Sequence, residues 1–330
     1  MAGTPIGPID AVRPPNWAAR LRSTDPSRYI VYVGFLLIFA VFAVTLQGSG
    51  FLTTQNLLNI VQQTAPITVM AIGMVFVLTA GEIDLSIGSV VAISALLAAV
   101  VMRDYPWPLA ALAGLGAGAL IGLLNGALIA YVRLPSFLVT LASMGLLAGV
   151  GRWMTDLKSV PVTDPTFTGL FGAGAAFGVP SLLVWTVLAL AIGHFVFRET
   201  RFGAHVLATG DSPRAARAAG VAVDRLRVGV MVISAMAAAL AGLLYAGRLY
   251  GARYTLGETD LLTVIAAVIV GGTRLSGGSG TVVGALIGSL LMGMLNNGLI
   301  LMGLTVAEQM IVRGLIILAA VALTLREKRR

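Results

Sequence analysis

The sequence predicts an all-α polytopic membrane protein of about ten transmembrane helices, with N- and C-termini in the cytoplasm. Three observations carry that expectation. Composition is the first: 58% of residues are hydrophobic, 11% are charged and mean hydropathy is +0.94, far from the balance of soluble domains. The second is a series of apolar runs, most of them near the ~20 residues that a helix needs to cross a ~30 Å hydrocarbon core. The third is charge. Alternate threading of those runs from a cytoplasmic N-terminus puts 16 of the 22 Lys and Arg inside: Arg13, Arg20, Arg22 and Arg28, then Arg133, six between Arg198 and Arg227, Arg274, and four in the C-terminal tail. Outside lie Arg103, Arg152, Lys158, Arg248 and Arg253, and Arg313 falls within the last run. Inserted polytopic proteins show this positive-inside asymmetry.

Residues 1–29 form a polar, Pro-containing cytoplasmic arm. No small-residue cleavage site follows the first apolar run, so 30–46 is an anchor and not a signal peptide. Within the arm, Trp17–Arg22 (WAARLR) reads either as an interfacial helix or as a disordered stretch. The transmembrane domain covers 30–325, with later spans at 57–79, 86–102, 108–132, 134–152, 181–197, 226–247, 259–271, 281–302 and 308–325. Tyr29 and Tyr131 inside, with Tyr105, Trp107, Trp153 and Tyr250 outside, suit an interfacial aromatic belt. Residues 153–180, with Pro161, Pro165 and Pro180 and no apolar periodicity, are expected to be an outer surface loop. Residues 198–227 form the longest cytoplasmic loop, and 326–330 are a basic cytoplasmic tail.

Segment 259–271 is too short to cross alone, because 13 residues of helix reach only ~20 Å. Asp260 opens it and Gly271-Gly272 break it, which predicts a broken or half-crossing helix buried in protein or lining a wet path. The pentapeptide GALIG occurs at Gly118–Gly122 and again at Gly284–Gly288, five spans apart and in opposite directions, as an inverted five-plus-five repeat would place it. The spacing of Gly114, Gly118 and Gly122 predicts close helix packing.

Several chemistries are excluded. The chain has no cysteine, so it has no disulfide, cysteine metal site or thiol nucleophile. His194 and His205 stand eleven apart, which is no zinc spacing, and neither a metal site nor a catalytic residue is expected. No Gly-Lys pair exists: Leu157 precedes Lys158 and Glu327 precedes Lys328, so there is no Walker A site and the chain is not expected to be an enzyme or to hold a cofactor. The net charge of +8 is spread by topology and forms no nucleic-acid stripe.

Three constellations carry mechanism. In GDSPRAARAAGV, Gly210 to Val221, Asp211 or Ser212 can cap a helix, Pro213 fits its first turn and Gly220 stops it. A two-turn helix needs a partner surface, so this segment predicts docking, against the alternative of a solvated basic loop. In GEIDLSIGS, Gly81 to Ser89, the polar residues Glu82, Asp84, Ser86 and Ser89 join two apolar spans. Acids at such a depth read as functional. They would bind the ion of an ion-coupled carrier, or cap the third helix and anchor a gate in a driven permease. The third set is RLSGGSG, Arg274 to Gly280, with Asn296-Asn297, which either meet a polar solute or bond between helices.

Taken together, GEIDLSIGSV, then LIGLLNGALIAYVRLPSFLVTLASM (Leu120–Met144), GDSPRAARAAGV, and VIVGGTRLSGGSGTVVGALIGSLLMGMLNNGL (Val268–Leu299) resemble the permeases of ribose/xylose/galactose-type ABC importers. The resemblance spans about residues 50–320. It implies a vitamin B12 permease-like fold, a second copy of the chain, and import of a monosaccharide or related polyol across a bacterial inner membrane. It also implies a cytoplasmic ATPase that holds ATP and Mg, and an extracytoplasmic sugar-binding protein. On that resemblance Gly210, Asp211, Ser212, Pro213, Arg214, Arg217 and Gly220 would couple to the ATPase. Arg152, Arg248 and Arg253 would meet the binding protein. Glu82, Asp84, Ser86, Asn125, Asn296 and Asn297 would line the path. Ser212 stands where the family commonly has Asn, and Glu82 where it commonly has Gly. The rivals are an ion-coupled secondary sugar carrier and an ABC permease for branched-chain amino acids or nucleosides.

Overall fold

The computed structural model describes residues 27–312 other than 177, together with 314, 315 and 318. The WAARLR segment, the rest of the arm up to residue 26, most of the predicted span 308–325 and the tail 326–330 lie outside the described residues. The helices are α1 (Ser27–Thr45), α2 (Thr54–Thr79), α3 (Ile87–Val101), α4 (Trp107–Ala130), α5 (Ser136–Thr155), α6 (Pro165–Thr168), α7 (Ser181–Glu199), α8 (Arg201–Asp211), α9 (Pro213–Ala218), α10 (Val223–Leu249), α11 (Asp260–Val270) and α12 (Val282–Leu301). A further helix starts at residue 306. Four two-residue strands, β1 (Val160–Pro161), β2 (Ala175–Ala176), β3 (Val179–Pro180) and β4 (Gly251–Ala252), pair antiparallel as β1–β4 and β2–β3.

Among the described residues, α2, α4, α5, α7, α10 and α12 are long and apolar enough to cross a membrane, and the chain is a polytopic membrane protein. Helix α10 forms the centre, packed by α2, α3 and α4, while α12 lies on α2 and α11. Side chains from Thr64 to Ala80 are almost continuously buried, as are those of α10 from Ala238 to Gly247 except for Leu240. By contrast, α4, α5 and α7 expose Leu112, Leu120, Leu146, Ile192 and Phe195. Such faces suit lipid.

The glycines predicted to pack do so. A Cβ on Gly122 would stand 2.8 Å from both the Ala235 Cβ and the Met231 carbonyl of α10. In the second GALIG copy, a Cβ on Gly284 or Gly288 would strike the carbonyl of Gly271 or Ala267 at α11. Small residues allow backbones this near one another in lipid, where no hydrophobic force drives helices together.

Two apolar helices, α3 and α11, are short and follow non-helical segments. Helix α3, with 15 residues, reaches ~22 Å and begins after the non-helical stretch 82–86; α11, with 11 residues, reaches ~16 Å. The broken-helix reading of 259–271 therefore has its counterpart in α11. Segment 153–180 is anchored to the helices by buried aromatic side chains. Phe167 and Phe171 are buried, Phe171 stacks on Trp185 at 5.3 Å, and β1 pairs Val160 with Ala252 beyond α10. Aromatic anchors hold this loop down, and they carry no helical or strand period to announce it.

Candidate coupling surface and polar path

The GDSPRAARAAGV segment forms the end of α8 and all of α9. Ser212, not Asp211, is the cap: its Oγ accepts the Ala215 N–H at 3.3 Å, and Asp211 closes α8. Gly220 has φ 86° just past the helix, and Val221 N–H returns to the Ala216 carbonyl at 3.0 Å, a glycine stop of the expected kind. Ala216 is buried beneath α9, while Arg214 and Arg217 face outward. Arg217 pairs with Asp224 at 2.7 Å, which fixes α9 against the first turn of α10. That pair is half-exposed, and such pairs orient more than they stabilise. The preceding helix α8 was not foreseen.

Where α8 ends, three segments meet backbone to backbone. A Cβ on Gly210 would strike the Thr79 carbonyl at the end of α2 and lie 2.5 Å from the Gly278 nitrogen. The Gly278 N–H donates to the Thr79 carbonyl at 2.9 Å, and a Cβ on Gly277 (φ 83°) would stand 2.7 Å from the Gly210 carbonyl. The RLSGGSG turn thus joins the end of α8 to the α2–α3 connection. Its glycines serve positive φ and close approach, not phosphate binding.

The α2–α3 connection carries the acids. Glu82 Oε1 lies 2.6 Å from Arg227 Nε, with side chains 8% and 25% exposed. The contact is a charge pair more than a directed hydrogen bond, since Nε has no partner in hydrogen-bonding geometry. Asp84 Oδ1 accepts from Ser86 N–H (2.9 Å) and Ser86 Oγ (2.6 Å), and Oδ2 accepts from Ser234 Oγ (2.7 Å). Asp84 therefore braces the turn before α3 and ties it to α10, while Ser86 occupies the N-cap without a side-chain cap bond. Asn125 Nδ2 donates to Ser86 Oγ at 3.2 Å and its Oδ1 accepts from Ser143 Oγ at 2.5 Å. Ser136 Oγ accepts Ile83 N–H at 3.1 Å, and Thr140 Oγ1 donates to the Ile83 carbonyl at 3.2 Å. Glu82, Asp84, Ser86 and Asn125 are thereby brought together. A cleft of about 530 Å³ opens beside them, lined by Glu82, Arg133, Ser136, Arg217, Asp224 and Arg227.

The asparagine pair lies elsewhere. Asn297, near the end of α12, exchanges two hydrogen bonds with Asn56 at the opposite end of α2 from Glu82, at 3.0 and 2.9 Å, the helix-bonding alternative of the sequence reading. Asn296 is also engaged. Of the arginines expected outside, Arg152 pairs with Glu258 at 2.8 Å and lies 5.2 Å from the Tyr254 ring centroid, Arg248 is partly buried, and Arg253 is exposed. Sequence reasoning missed Arg227, Ser234, Ser143 and Glu258 as partners. A Ser within an apolar helix carries no pattern, and the ion pairs join distant segments.

No solved structure matches the chain. Curated relatives do. The ribose import permease protein of Escherichia coli K12 is 37% identical over 88% of this chain and 91% of its own length. That of Bacillus subtilis 168 is 38% identical over 87% and 90%. The xylose transport system permease protein of Escherichia coli K12 is 31% identical over 94% of both. Residues 56–321 match the family described as the branched-chain amino acid transport system / permease component, and the chain belongs to that family of ABC transporter permeases.

Proposed function

We propose that this chain is the membrane-spanning subunit of an ATP-driven, binding-protein-dependent importer of a monosaccharide or related polyol. The names and coverage of the ribose and xylose permeases support the substrate class. In this reading the protein is a multi-pass component of a bacterial inner membrane, crosses it ten times, keeps both termini in the cytoplasm, and works beside a second copy. A separate ATPase carries ATP and Mg, and a binding protein delivers the sugar from outside.

One observation carries the coupling role: a short, exposed helix, α9, follows the glycine junction that touches the segment bearing Glu82 and Asp84. A push on α8–α9 has backbone contacts, not flexible side chains, through which to move the α2–α3 connection. The Arg217–Asp224 and Glu82–Arg227 pairs lie on the same route, since Asp224 and Arg227 stand three residues apart at the start of α10. Transport then requires that ATP and the loaded binding protein favour different transporter states, because a ligand with equal affinity for both shifts nothing.

The test is affinity purification of the chain from its own membrane. A Walker A ATPase that co-purifies, and is lost on Arg214→Glu with Arg217→Glu, is the expected result. A homo-oligomer without an ATPase, under conditions that preserve complexes, points instead to the ion-coupled carrier. The family description favours a second reading, a branched-chain amino acid permease. The solute held by the partner binding protein separates it from the first.

A further inference from the structure

A second, smaller pocket lies apart from the charged cleft, deeper along α5. Its volume is about 260 Å³, and its walls include Leu85, Gly88 and Ser89 from the start of α3, Met144 and Gly145 from α5, and Glu258 from the segment before α11. A hollow of that size admits a small solute, on the scale of one sugar ring.

The backbone around it is arranged unusually. The beginnings of the two short helices converge there: a Cβ on Gly257 would stand 2.7 Å from the Gly88 carbonyl, and one on Gly88 would strike the carbonyl of Gly257. The opening turns of α3 and α11 carry N–H groups that no helical carbonyl takes up, and irregular backbone survives at this depth only inside protein or beside a wet cavity. Ser89 donates to the Met144 carbonyl across the pocket wall at 3.1 Å. Hydroxyl, carbonyl, carboxylate and helix-start amides thus meet at an otherwise apolar hollow. That is the lining a neutral polyhydroxylated ring needs.

One ion pair borders the hollow, and a second lies on the charged cleft nearer the start of α5. Toward the outer end of α5, Glu258 is held by Arg152, whose guanidinium also lies over Tyr254. Toward its inner end, Ser136 and Thr140 clasp Ile83, next to the Glu82–Arg227 pair. We propose that this pocket is the seat of a single monosaccharide in transit, with Arg152–Glu258 as its outer latch and Glu82–Arg227 as its inner one. The assignment rests on the importer reading above. It places the solute at Ser89, Met144 and Glu258, next to Ser143, which the buried Asp84–Asn125 network holds.

Gly145 makes the proposal testable, because nothing lies within 4 Å of where its Cβ would be. A side chain can therefore leave the backbone there, at the pocket wall, without a clash at its first carbon. Gly149, one turn further along α5, is equally open and does not line the pocket, so it supplies the control. The chain, with its ATPase and binding protein, is reconstituted in liposomes, and uptake of labelled ribose and xylose is read per mole of assembled complex. Relative to the unsubstituted complex, Gly145→Trp should cut uptake about tenfold or more, with Gly145→Leu intermediate and Gly149→Trp within about twofold. Equal loss in Gly145→Trp and Gly149→Trp, or no loss in Gly145→Trp, overturns the seat while leaving the importer reading intact. If Gly145→Trp no longer retains the ATPase, the ordering of Gly145→Ala and Gly145→Leu against Gly149→Leu decides. Failure of the unsubstituted complex to import either sugar overturns the importer reading, and the seat with it.

Discussion

At the scale of single residues, Glu82 poses the sharpest energetic problem. Its carboxylate is nearly buried and its one short charge contact is Arg227. Removing one member of a buried pair leaves the other charge unpaired, which costs more than the pair is worth. Arg227→Ala should therefore destabilise the protein by about 3 kcal/mol, and adding Glu82→Gln should restore about half of that or more. Thermal unfolding in detergent measures both; a double variant no more stable than Arg227→Ala would show that Glu82 does not need its partner. The acid itself was legible in the sequence, because a charge between two apolar spans stands out. Arg227 was not, since it reads there as one more basic residue obeying the positive-inside rule. Asp84 shows the same division: its position was visible, but Ser234, its partner from α10, resembled any small residue in a packed helix.

At the scale of elements, local chemistry was readable and tertiary contact was not. Helix α9 could be foreseen because capping is local: Ser212 before Pro213 and Gly220 after Ala219 suffice. Helix α8 was missed because Gly203 and Gly210 count against a helix by propensity. Their purpose lies in contacts outside it, Gly203 against the Phe197 carbonyl and Gly210 against Thr79 and Gly278. That difference predicts an asymmetry between glycines. Gly210→Ala must push α8 away from the backbone of α2, an overpacking that costs about 1–3 kcal/mol, and it should lower both melting temperature and sugar uptake. Gly116→Ala, on the open face of α4 with nothing within 4 Å, should be neutral or gain up to about 1 kcal/mol from helix propensity. Equal behaviour of the two variants would remove the junction from the mechanism.

At the scale of the whole molecule, the two GALIG copies raise the question of symmetry. Helices α2, α3 and α4 in the first half and α10, α11 and α12 in the second have matching roles. The long α2 and α10 pack on each other, α4 lies on α10 as α12 lies on α2, and short α3 and α11 each follow a broken segment and approach at Gly88 and Gly257. The apolar runs were plain in the sequence. For a pairing of halves the sequence offers five residues alone, because packing constrains side-chain size in a membrane far more than side-chain identity. Inversion makes a definite demand: the helices bearing GALIG must end on opposite faces of the bilayer. The absence of native cysteine makes the chain its own background for single-cysteine labelling. Tyr131 follows α4 and is 63% exposed; Met302 follows α12 and is 55% exposed. An impermeant maleimide applied to spheroplasts should label Met302→Cys directly and Tyr131→Cys only after permeabilisation. Labelling of both from one side would require an even number of crossings between them, and would remove the inverted repeat together with the ten-span threading on which it depends.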